Sequence, residues 1–124
     1  MCIMFRPGYD LKVHDSVCDE NGRFIILDIS LYDQRLTFVS LYGFNTDNPD
    51  FFQEIYKKIS CFSNSSILSC GDRNVTLDHS IDTYNITHNR NPNARKKVEL
   101  MIESFQLMDP WRICFPDSRK YTWR

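Results

Sequence analysis

What this sequence has little of narrows it first. No run approaches the roughly 18 apolar residues of a membrane-spanning helix, so no membrane partner is expected. The apolar start Met1-Cys2-Ile3-Met4-Phe5 is cut at once by Arg6 and Pro7, too soon for a secretory signal core. Only four glycines and five prolines occur among 124 residues, which excludes collagen-like and linker-type chains. An excess of one charge is missing as well: 15 Lys and Arg face 16 Asp and Glu, a formal net charge of −1. That excludes a protein holding nucleic acid through global positive charge and leaves room for a local site. The five cysteines, Cys2, Cys18, Cys61, Cys70 and Cys114, include no CxxC pair. An odd, scattered set reads as reduced thiols in a nuclear or cytoplasmic protein that is not secreted. On that reading the Asn-x-Ser/Thr matches at Asn64, Asn74 and Asn85 are chance.

What is present suits a folded core. Nine Phe, six Tyr and two Trp sit in a chain that is 42% hydrophobic, of a length usual for one domain. Met1–Phe5 and Leu11–Val17 read as short strands around the turn Arg6-Pro7-Gly8. Arg23–Leu31 and Arg35–Tyr42 then read as a hairpin joined by Tyr32-Asp33-Gln34. Both hairpin strands carry apolar residues on both faces, the mark of a sheet inside a layered fold. Asn48-Pro49-Asp50 supplies a cap, a first-turn proline and a dipole partner for a helix. Phe51, Ile55 and Ile59 form its stripe. Ile67–Cys70 reads as a short buried strand leading into Gly71-Asp72-Arg73-Asn74. Asn91-Pro92 repeats the cap-plus-proline start for a second helix, with Val98, Met101, Ile102 and Phe105 inward and Arg95-Lys96-Lys97 on the solvent side. Lys120–Arg124 reads as the beginning of a strand. Alternating strands and helices predict an α/β or α+β class.

Three metal or site patterns compete for the polar residues. Cys61, Cys70, His79 and His88 stand nine apart, without the close ligand pairs that zinc sites use. Asp72-x-Asn74-x-Thr76-x-Asp78 begins like a calcium loop, but Leu77 stands where the bend needs glycine and no Glu follows at the twelfth position. Gly71-Asp72-x-Asn74 remains. At a strand end Asp72 can take a proton from water and Asn74 can donate to a phosphoryl oxygen; the same residues also make an ordinary turn. Tyr42, before Gly43, ends the second hairpin strand, where its hydroxyl can stand at the sheet rim or its ring can simply close the strand.

Taken in order, the RFIILDISL and RLTFVSLYGFN strands, NPDFFQEI, ILSCGDRNVTLD, the Asp82-Thr83-Tyr84 loop, NPNARKKV and Lys120–Arg124 resemble the endonuclease/exonuclease/phosphatase superfamily. Within it, the likeness is to the endonuclease domain at the head of the reverse-transcriptase polyproteins of LINE-type (non-LTR) retrotransposons. The resemblance implies a four-layer α/β sandwich, two mixed sheets flanked by helices, that cuts DNA phosphodiester bonds with magnesium. It implies that Asp72 helps to activate water, that Asn74 supports the transition-state oxygens and that Tyr42 approaches the scissile phosphate.

Two departures accompany it: Arg73 stands where the family usually has an aromatic, and Phe44 replaces the usual proline of the tyrosine motif. The family's early Asn and metal-binding Glu would precede Met1, and its later Asp motif and closing Asp-His pair would follow Arg124. Residues 1–124 are therefore expected to be a partial domain, inactive alone, with Asp72 a weak magnesium ligand and open strand edges that favour aggregation. Enzymatic activity is left open on these grounds. The alternative is a domesticated, non-catalytic nucleic-acid-binding module. Its phosphate contacts would be Arg95, Lys96, Lys97 and Lys120.

Overall fold

The computed structural model describes residues 1–62, 66–83 and 90–119. Four strands form one sheet: β1 (Leu11–Cys18), β2 (Phe24–Leu31), β3 (Gln34–Tyr42) and β4 (Ser66–Asp72), in the order β1-β2-β3-β4. The β1–β2 and β2–β3 pairs are antiparallel, whereas β3 and β4 are parallel. The chain needs a crossover to bring β4 alongside β3, and helix α1 (Pro49–Ser60) supplies it. Helices α2 (His79–Asp82), α3 (Pro92–Ser104) and α4 (Pro110–Cys114) follow. The class is mixed α/β.

The described chain divides into two compact units, Met1–Phe44 with Glu54–Asn74 and Asn45–Gln53 with Val75–Arg124. In the first, Phe24, Ile26, Val39 and Leu41 share one sheet face and are each 1% exposed or less. From α1, Ile55 and Ile59 are also buried, and the Lys58 ammonium lies over the Phe24 ring. Full burial of each such aliphatic side chain contributes about 1.5–3 kcal/mol. Asp28 shares this covered face, where Arg35 of the neighbouring strand grips it through Nε at 3.0 Å and Nη2 at 2.5 Å. The paired carboxylate holds the Arg35 pKa above its ordinary value. The opposite face carries Ile25, Leu27, Leu31, Leu36 and Phe38, all half-buried, with Val13 and Leu68 more than half exposed.

Several local expectations need correction. Met1–Phe5 is not a strand. Its hold on the sheet is the Phe5 ring, edge-on to Phe38 at 6.4 Å, and the Pro7 that follows has no N–H for a ladder. The hairpin turn is one residue shorter than the sequence reading, since Leu31 pairs with Gln34 and Tyr32 adopts a left-handed φ of 51°. Among the described residues β4 is an edge strand rather than a buried one: β3 alone pairs with it there, and Leu68 and Cys70 are exposed.

In the α1 start, Asn48 behaves as expected, its Oδ1 accepting the Phe51 N–H at 3.1 Å. Asn91 does not. It sits in the left-handed region with no side-chain cap bond, and Asp47 caps α3 instead, accepting the Ala94 N–H at 2.7 Å and the Asn93 N–H at 3.2 Å. Ala94, Val98 and Met101 are the buried residues of α3. The segment read as a polar loop contains α2, whose first turn is capped by Asp78 through the Ser80 N–H. Asp82 at its end binds Arg112 at 2.5 Å.

Those amide bonds, the Ala94 one foremost, hold the Asp47 carboxyl below its ordinary pKa. A depressed carboxylate adds stability above its unfolded pKa of about 3.9, and that contribution disappears as pH falls through the lower folded value. Asp47→Ala is therefore expected to lower the thermal midpoint at neutral pH. The gap from the parent chain should close in acid below about pH 4, as followed by circular dichroism.

Candidate site at the ends of β3 and β4

Two parallel strands that end level present their last residues together, and this is where sheets of this class hold reacting groups. Register places Tyr42 of β3 opposite Asp72 of β4. Just beyond, the Gly43 N–H donates to the Asp72 carbonyl at 2.7 Å. Asn74 closes the rim: its N–H donates to Asp72 Oδ1 at 2.9 Å and its Nδ2 donates to the Gly43 carbonyl at 3.0 Å. Tyr42, Asp72 and Asn74 are thus brought to one end of one strand pair. Tyr42 is 47% exposed and Asp72 is exposed.

The Asp72–Asn74 bond is the ordinary turn expected of these residue types, with Asn74 in the left-handed region at φ 52°. The turn and the rim are the same structure. The carboxamide that would face a phosphoryl oxygen spends at least one N–H on tying the turn back to β3.

Two glycines permit this closeness. A Cβ on Gly43 would overlap the Arg73 carbonyl oxygen, and one on Gly71 would overlap the Leu41 carbonyl oxygen. Gly71 also takes φ +118°, which L side chains rarely adopt.

Arg73, between the two site residues, is half-buried, and its Nη2 donates to the Ser69 hydroxyl at 2.7 Å. The guanidinium that replaces the family's aromatic therefore turns back along its own strand to a polar partner.

Arg23, which the sequence reading passed over, stands in the same row. The Tyr42 N–H donates to its carbonyl at 2.7 Å. Its guanidinium carbon lies 3.8 Å from the Phe44 ring centroid and 5.8 Å from that of Tyr42. The available signal was the hairpin register: a two-residue turn at Tyr32-Asp33 sets position 23 opposite position 42.

The basic residues of the alternative reading fare unequally. Arg95 pairs with Glu99 at 2.7 Å and Lys97 donates to Gln53 at 2.7 Å, so the run is not a uniformly solvated face as expected. Lys96 is exposed. Lys120 lies outside the described residues, as does the expected strand at 120–124. Among the described residues no three His, Cys, Asp or Glu side chains form a group able to hold an ion. Asp72 alone does not fit a cation that needs several oxygen ligands held together.

Gly43→Ala and Gly71→Ala are each expected to cost roughly 3 kcal/mol in urea unfolding, because backbone atoms must move to admit the methyl group. Gly8→Ala is the control. Like Gly71 it has a positive φ, but nothing lies within 4 Å of the new Cβ, so roughly 1 kcal/mol is expected from the left-handed backbone alone.

No protein-family model matches this chain, and no curated protein matches its sequence.

Proposed function

We propose that this chain is part of a domain of the endonuclease/exonuclease/phosphatase type, derived from a non-LTR retrotransposon, and that it engages the DNA backbone at the β3–β4 rim without cutting it. The observation that carries the reading is the register of Tyr42 against Asp72, with Asn74 tied back to Gly43. Three residues that the resemblance assigns to phosphodiester chemistry, 32 positions apart at their extremes, stand at one strand end.

Further support comes from the sheet itself. Its second face, where only Ile29 of the paired apolar residues is fully buried while Val13 and Leu68 are exposed, has the apolar character that a second sheet of a four-layer sandwich would cover. At the rim, an exposed carboxylate and an exposed phenol have the chemistry to orient water and to meet a phosphate oxygen. Among the described residues Asp72 has no companion ligands, and one carboxylate alone is a poor magnesium site; for that reason the reading is of a backbone-binding portion of an endonuclease rather than an active one. In the complete enzyme a divalent ion would supply the activation of water and the neutralisation of phosphoryl charge.

The test is a nicking assay on supercoiled plasmid with magnesium, run beside duplex-DNA binding. Binding that weakens with salt and no nicking are expected. Nicking by the parent chain that is lost in Asp72→Ala would overturn the inactive reading, and absence of any DNA binding would overturn the reading as a whole.

A further inference from the structure

Among the arginines with resolved ion pairs, Arg35, Arg95 and Arg112 each spend their charge on a carboxylate. Arg23 forms no such pair among the described residues. Asp19 lies near, but its Oδ2 accepts the Arg23 main-chain N–H at 2.9 Å and does not ion-pair with the guanidinium. The side chain is held instead by stacking on Phe44, with a long 3.5 Å bond from Nη1 to the Tyr42 carbonyl. Stacking occupies the faces of a guanidinium, while its N–H donors all lie in its plane. A stacked arginine therefore keeps its donors in a plane parallel to the ring, where they reach sideways past the edge of the platform.

We infer that Arg23 is a phosphate-contacting residue of the rim, its donor edge presented beside Tyr42 by the Phe44 ring. A planar fork matches two oxygens of one phosphate. The departure at position 44 acquires a role here, since an aromatic ring stacks a guanidinium better than the family's proline. The inference rests on the proposed DNA-backbone reading and names which cation of the sheet unit carries it.

The experiment is fluorescence anisotropy of a labelled DNA duplex titrated with the full chain between about 50 and about 200 mM salt, with circular dichroism melts on every variant. Arg23→Ala is expected to weaken binding about tenfold at the low-salt end. It should also reduce the steepness of log affinity against log salt by about 0.9, the loss of one phosphate contact. Arg23→Lys should retain the slope while binding more weakly than the parent. Phe44→Leu should weaken binding through loss of the platform, again with the slope retained. A purely structural arginine would shift the melt and leave the slope alone. Unchanged affinity and slope in both Arg23→Ala and Arg23→Lys, with the parent chain binding, would overturn this inference and leave the function standing. No binding by the parent chain would overturn both.

Discussion

The site depends on how closely two backbones can pass where β3 and β4 end. Gly43 against the Arg73 carbonyl and Gly71 against the Leu41 carbonyl leave no room for a side-chain atom. Because both strands surrender a Cβ there, the Gly43 N–H reaches the Asp72 carbonyl, and the turn carrying Asn74 folds back onto β3. The positions of Tyr42, Asp72 and Asn74 relative to one another follow from that approach, which the Asp72 and Asn74 side chains then fasten through the Asn74 N–H and the Gly43 carbonyl. It is a backbone constraint, and it exists because the α1 crossover returns β4 in the parallel direction.

How much of this was legible in the sequence depended on range. The Asn48 cap closes within three residues, and its spacing to Phe51 is visible in any listing of the chain. The Asp47 cap of α3 acts across 46 residues, and no local pattern distinguishes Asp47 from a loop aspartate. Asn91 looked like the cap because it precedes Pro92, yet a left-handed residue turns its side chain away from the helix start. β4 was read as buried because a short apolar run looks the same on an edge and in a centre; only the strand order decides.

The rim shows the same division. Tyr42 and Asp72 announce themselves by standing at the ends of β-rich segments beside glycines. Arg23 does not, because its place depends on the length of the β2–β3 turn, and a misjudgement of one residue there sets it opposite Gly43 instead of Tyr42. Arg73 posed the opposite difficulty. Its charge was apparent, but the partner that accepts it, Ser69, lies four residues back on the same strand and was hidden by the left-handed step at Gly71.

The Asp28–Arg35 pair has a consequence for assembly of the sheet. Since β2 and β3 bear apolar residues on both faces, burial alone discriminates poorly between the native pairing and one slipped by a single residue. A slip would carry Arg35, whose own side chain is half exposed, to the other face and leave the buried Asp28 carboxylate without its partner, and a buried charge left unpaired is costly. Asp28, the one buried carboxylate among the described residues, thus serves as a proofreader of alignment: it contributes little to holding the hairpin together and much to rejecting the wrong way of zipping it.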